Sequence, residues 1–255
     1  QYLNKVSYYR LVKAYSLGLK TSEGMYKDDI TFERIKDIYD FNTRLRQFLF
    51  PVIEHIEIKL RCTISNLFSL KYGNMGYLDS NNFANVEFHW QVISELEKEK
   101  NRNLRSPLVK NFSENYENGN IPFYAAIELF SFGMLSKFFS NMTAEDKKAV
   151  AKQSFNIGYT YAESWIMSIC NVRYICAHYG RLYIIDLKAR PMMYKQYNSL
   201  VNSKIFSIMI CLKHLVDDEM IWQIFSDSIC SLVEKYQYSI NLSCIGFPSN
   251  WYELL

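Results

Sequence analysis

The stretch FNTRLRQFLFPVIEHIEIKLRCTISNLFSLKY, from Phe41 to Tyr72, decides the fold class. Phe41, Leu45, Phe48, Val52, Ile56, Leu60, Ile64 and Leu67 step by three or four residues. At about 100° per residue, that spacing lays one continuous apolar stripe along an α-helix. Thr31 stands where an N-cap belongs, with Glu33 in the first turn to suit the helix dipole. Gly73 is the expected C-cap. Pro51 has no backbone N–H to donate, so a kink or a break into two helices is expected near it.

The same periodicity continues outward. Leu3 to Leu19 reads as a first helix, ended by Gly18 and the polar run from Lys20. After a loop at residues 74–82, a more polar helix is expected from about Asn85 to Asn118, charged nearly all round over Glu95–Arg105. Pro122 opens a helix expected to reach Asn141, and Thr143-Ala-Glu-Asp146 resembles a capping box that opens another. A helix after Gly158 carries Trp165, Ile169, Val172 and Cys176. Two more apolar helices are expected over Tyr197–Leu215 and Asp218–Tyr238, followed by an irregular tail from Asn241. Leu182–Ile185 is apolar and β-branched but too short for a strand assignment. Among 255 residues only nine are Gly and five Pro, too few for a many-turned β-sandwich. The expectation is one all-α domain over residues 1–255, a helical bundle with additional helices and residues 85–118 as a candidate insertion.

Composition narrows the function classes. Apolar residues make up 49% and charged residues 22%, which is a packed chain and not a disordered one. The net charge of +3 permits a nucleic-acid partner without demanding one. No apolar run approaches the roughly 18 residues of a membrane span, so no membrane partner is expected. Six scattered cysteines, with no C-x-x-C pair, read as buried free thiols in a reducing bacterial cytoplasm. The first residue is Gln1 and not Met, so some N-terminal sequence is expected to be missing. Glycine-rich phosphate loops are absent, no histidine has a Glu three residues before it, and H-E-x-x-H does not occur. No metal or other cofactor is expected.

The segment that carries chemistry is Asn171-Val-Arg173-Tyr-Ile-Cys-Ala-His178-Tyr-Gly-Arg181. Arginine keeps its charge and grips phosphate with two donors. Histidine titrates near neutrality and moves protons. Together they suffice for metal-free RNA cleavage, in which a ribose 2′-OH attacks the adjacent phosphate and the extra negative charge is stabilised. Residues five apart on a straight helix lie about 140° apart, so one chain does not make a tight Arg–His dyad. Two copies facing across a two-fold axis, or a helix ended by Gly180 that frees His178, would bring the groups together. Glu57, with Arg61 four residues on, and Glu128 read first as ion pairs that fix helix packing, and are also candidate supporting carboxylates. Tyr9, Arg10 and Lys13 interleave aromatics with cations, and Lys100, Arg102 and Arg105 form a second basic stretch; both are candidate RNA contacts.

Asn171–Arg181, with its Arg-x4-His ending in Cys-Ala-His, resembles the signature of abortive-infection (Abi) proteins of the AbiD/AbiF type, within the HEPN superfamily. Three more stretches resemble that family in order and spacing: Val6-Ser-Tyr-Tyr-Arg-Leu11, Ile53-Glu-His-Ile-Glu-Ile-Lys-Leu-Arg61 and Ala126-Ile-Glu-Leu-Phe-Ser-Phe-Gly-Met-Leu-Ser136. The resemblance implies an HEPN-type helical fold and a phage-defence toxin, as in toxin–antitoxin pairs. It also implies a metal-independent endoribonuclease using Arg173 and His178, with Asn171 and Arg181 in support. RNA as substrate, a homodimer or higher homo-oligomer, and restraint by a small non-coding RNA follow from the same likeness. Tyr174 stands where HEPN motifs often place Asn, Asp or His, and Tyr183-Ile-Ile-Asp186 replaces a frequent Trp-Asn-Arg. Two other readings stay open: an RNA-binding protein without catalysis, holding a structured RNA, and a helical protein-interaction module.

Overall fold

A computed structural model describes residues 2–13, 15–16, 18–27, 30–115 and 120–255, without the side chain of residue 113. Secondary structure among them is helical. No strand forms, and pairing is limited to two isolated bridges, Lys20 with Tyr26 and Phe83 with Met142. The all-α expectation holds. The chain divides into two compact units, Gln1–Glu54 with Asn171–Leu255, and His55–Cys170.

The helix read from the opening stretch is α1, Phe32–Tyr72. Thr31 Oγ1 accepts the Arg34 N–H at 3.2 Å, as its capping role requires. Gly73 ends the helix at φ +78°, its N–H bonded to Ser69 O. Pro51 does not break the helix, which continues through that position. Its ring lies on the exposed side, while Val52 and Ile53 are buried beside it, so packing on the apolar face holds the turn whose hydrogen bond is missing.

In the unit of residues 55–170, the polar segment is two helices and not one. α2, Val86–Arg102, is capped by Asn85, whose side chain accepts from the Phe88 N–H. Asn103 closes it, donating through both its backbone N–H and its Nδ2 to Glu99 O. Ser106 and Pro107 then start α3, Pro107–Asn115, since proline at a first helical position loses no bond. The expected end at Asn118 lies outside the described residues.

The helix expected over Pro122–Asn141 also breaks. It forms α4, Phe123–Ala126, a 3-10 turn at Ile127–Leu129, and α5, Phe132–Asn141. Ser131 is the reason: its hydroxyl accepts from the Met134 N–H at 3.2 Å and caps a new helix. α6, Ala144–Phe155, starts at the capping box, where Thr143 Oγ1 accepts from the Asp146 N–H. The core of this unit is aromatic, with Phe68, Phe83, Phe123, Phe130 and Phe138 in mutual ring contact. α7, Tyr159–Ala177, supplies residues to both units.

In the other unit, the first segment is a short π-helix, Tyr9–Lys13, preceded by a 3-10 turn at Tyr2–Asn4, where one α-helix was expected. α8 spans Ile205–Leu215 and starts eight residues later than expected, since residues 195–197 form a separate 3-10 turn. α9, Glu219–Tyr236, is capped by Asp218, which accepts from the N–H groups of Met220 and Ile221. The tail holds a 3-10 turn at Leu242–Ile245 and α10, Trp251–Leu254. None of the six cysteines is in a disulfide. Cys176 and Cys211 are buried as expected, whereas Cys62 is exposed.

Candidate functional site

The motif occupies the end of α7 and the turn beyond it. Tyr179 takes the left-handed conformation at φ +57°, its N–H bonded to Cys176 O. The Gly180 N–H bonds to Ile175 O at 2.7 Å. These two bonds make a Schellman closure with tyrosine, not glycine, in the left-handed position. Gly180 is needed for space and not for its φ. A Cβ there would stand 2.8 Å from Ile175 Cγ2 and 3.1 Å from Ile175 O. The chain therefore turns sharply after His178, which is the last residue before the left-handed one.

His178 is exposed, its ring centroid 4.3 Å from that of Tyr174 one turn earlier. Among the described residues, neither of its ring nitrogens has a hydrogen-bond partner. Arg173 faces another way: its guanidinium lies 5.4 Å from the Phe50 ring centroid on α1. One chain thus presents the two groups on different sides of α7, as the 140° separation requires.

Arg46 and Arg173 both act on the buried Cys176 thiol, and Arg46 and Arg181 both act on the Tyr15 phenol. Burial pushes the Cys176 thiol up to about 12, against the pull of both Arg46 and Arg173. Burial also raises the Tyr15 phenol above its ordinary range, against Arg46 first and Arg181 last. The Arg181 guanidinium lies 6.0 Å from the Tyr15 ring centroid, and burial pulls it below its usual range. Arg46 is 7% exposed and donates to Gly180 O at 2.9 Å and to Thr43 Oγ1 at 3.2 Å. Among the described residues, no carboxylate is ion-paired with Arg46 or Arg181. Two polar atoms here are buried without any partner, Asn171 Oδ1 and Arg181 Nε. An unpaired buried polar group costs energy, so each calls for a cause; Ser69 Oγ, His89 Nδ1 and Ser154 Oγ, outside the motif, share this state.

The π-helix adds to this surface. The Arg10 guanidinium sits 5.4 Å from the Tyr179 ring centroid, beside His178 in the chain. Tyr9 and Lys13 are exposed on the same short helix.

The remaining candidates lie in the other unit. Lys100 and Arg102 are ion-paired with Glu97 and Glu99, three residues earlier on α2. Arg105 is exposed in the turn before α3. Glu57 Oε1 accepts from Arg61 Nη2 at 3.0 Å, and Arg61 also donates to the carbonyls of Ile127 and Phe130. The Phe130 carbonyl is left over where the helix breaks before Ser131, and that of Ile127 accepts from the Phe130 N–H as well. Glu128 is exposed on the 3-10 turn.

Sequence reasoning missed Asn42 and Arg46. The signal was present: Ile38, Asn42, Leu45 and Leu49 share the buried stripe of α1, and Asn42 is fully buried in it. A polar residue inside an apolar stripe marks a backbone that needs bonding. Among the described residues, no three His, Cys, Asp or Glu side chains are grouped to hold a metal, and no helix is long and apolar enough to cross a membrane.

The family described as Abi-like protein matches residues 1–184, so the chain belongs to it and is an abortive-infection protein. No curated protein and no solved structure matches the chain. The matched span ends just beyond Arg181 and holds every residue of the Arg173–Arg181 surface.

Proposed function

We propose that this abortive-infection protein is a metal-independent endoribonuclease of the HEPN type, acting as a phage-defence toxin. The observation that carries the proposal is the end of α7. There an exposed His178 with unbonded ring nitrogens lies three residues before Arg181, Arg46 holds the Gly180 carbonyl between them, and Arg10 lies over the ring of the neighbouring Tyr179. A surface rich in guanidinium groups suits a polyanion, and RNA supplies phosphates at regular spacing.

In this reading Arg173 stabilises the negative charge on the phosphoryl oxygens of the transition state. His178 transfers a proton between the ribose 2′-OH and the 5′-oxygen that leaves. The products are a 2′,3′-cyclic phosphate and a 5′-OH. Arg181 and Asn171 hold the flanking backbone. Since the two groups sit on different sides of α7 in one chain, the working centre is composite, with two copies each giving both residues. A small structured RNA that covers the surface would restrain the toxin.

Expression of the wild-type chain and of His178→Ala in bacteria tests this. Growth arrest by the wild type alone supports it, and equal toxicity of both at equal protein levels rules out His178. A second reading, RNA binding without cleavage, draws on Tyr174, which fills a position where many HEPN motifs carry a polar residue. It predicts a nuclease-protected RNA that co-purifies uncut, held by salt-sensitive phosphate contacts.

A further inference from the structure

Two residues of α1 outside the Arg-x4-His motif bind the backbone immediately after it. Asn42 Oδ1 accepts from the Leu182 N–H at 2.7 Å and the Tyr183 N–H at 3.1 Å. Its Nδ2 donates a longer bond, 3.4 Å, to Gly180 O. Arg46, one turn further along α1, donates to that same carbonyl at 2.9 Å. Asn42 is completely buried and Arg46 nearly so. The segment they hold begins with the left-handed Tyr179, and a second left-handed residue follows at Ile184, φ +64°. Non-glycine residues persist in that conformation only when their surroundings fix them, and a β-branched one is the stronger outlier. Asn42 and Arg46 supply that fixing between the two strained positions.

We infer that Asn42 and Arg46 are positioning residues, which lock the turn after α7 and so aim His178 and Arg181 at a common substrate. The inference rests on the ribonuclease reading of the motif. Neither residue needs to touch RNA. Asn42 is suited to the task because one side chain accepts from two successive N–H groups and donates to a nearby carbonyl. No aliphatic residue does either, and a carboxylate accepts but does not donate. Arg46 adds a rigid planar fork, with one nitrogen on Thr43 and another on Gly180.

The test uses the full chain with Asn42→Ala, Asn42→Asp and Arg46→Lys. Three measurements are made: cleavage of a fluorescent single-stranded RNA, the side-chain NMR signals of His178 in histidine-labelled protein, and amide exchange at Leu182 and Tyr183. Asn42→Ala is expected to lower kcat about 100-fold, the scale of a displaced catalytic group, with KM changed less than about threefold. It should also shift the His178 signals and speed exchange of both amides. Asn42→Asp keeps the acceptor for both N–H groups and is expected to restore at least a tenth of the rate. A folded Asn42→Ala with wild-type kcat and an unmoved His178 signal overturns the inference. If Asn42→Ala does not fold, Arg46→Lys decides by the same His178 signal and kcat. If the wild type cuts no RNA, the ribonuclease reading fails by itself. The His178 shift and amide exchange then still support or refute the clamp.

Discussion

Arg61→Ala measures how much the unit of residues 55–170 depends on one guanidinium. Arg61 bonds Glu57 Oε1 at 3.0 Å and Phe130 O at 2.9 Å, and also reaches Ile127 O. The two side chains are 12% and 13% exposed, so water replaces little of what is lost. A hydrogen bond from a charged donor contributes roughly 1.5–3 kcal/mol, and a neutral carbonyl left unsatisfied costs about 1–3 kcal/mol. These terms overlap and are not additive; together they give a loss of about 3 kcal/mol. For a chain of this size that lowers Tm by about 6–12 °C. Thermal unfolding followed by far-ultraviolet circular dichroism, with a urea titration beside it, reads the effect. Glu57→Gln keeps an acceptor for Arg61 and is expected to cost only about 1 kcal/mol. A fall in Tm below about 2 °C for Arg61→Ala would mean that solvent satisfies the Phe130 carbonyl and that the pair contributes nothing measurable.

Further expectations concern caps, close packing and acid stability. Ser131→Ala removes the cap that divides α4 from α5 and should cost about 1 kcal/mol in urea unfolding; no change would place the helix break elsewhere than in the cap. Gly180→Ala forces a Cβ to within 2.8 Å of Ile175 Cγ2 and should lower Tm. It should also disturb the His178 signal in the same way as Asn42→Ala, whereas a neutral outcome would show that the turn relaxes freely. For Asp146, burial pushes the carboxyl pKa up, but hydrogen bonds from Lys71, Thr143 and Tyr72 outweigh it and hold the group below the usual carboxylate range. A depressed pKa in the folded state stabilises the fold above the unfolded value of about 3.9, and this contribution is lost as pH falls through the folded value. The stability gap between wild type and Asp146→Asn should therefore be full at pH 7 and shrink below about pH 4, and a constant gap between pH 7 and pH 3 would refute it.

The helical class was legible because spacing alone sets it. The stripe from Phe41 to Leu67, the Thr31 and Thr143 caps and the Gly73 terminus all stand where the residues predict. Boundaries failed where a polar side chain competes with the helix for backbone groups. Ser131 and Ser106 each cap a new helix inside a segment read as continuous. At Pro51 no break occurs, since packing of Val52 and Ile53 outweighs one absent hydrogen bond. At the site, the residues Asn171 to Arg181 announced themselves, because few other segments combine histidine with two arginines. Asn42 and Arg46 did not, since their role depends on which backbone folds against α1 some 140 residues later. The basic stretch at Lys100, Arg102 and Arg105 reads as a candidate RNA contact, but the helix carries Lys100 and Arg102 back to Glu97 and Glu99.

The most direct measurement is RNA cleavage by purified protein in EDTA, with wild type beside Arg173→Ala and His178→Ala and the product ends mapped chemically. An active site built from Arg173 and His178 yields 2′,3′-cyclic phosphate and 5′-OH ends with the wild type only. Cleavage of equal rate and pattern by all three proteins would remove both residues from the chemistry and leave the arginine-rich end of α7 without a catalytic role.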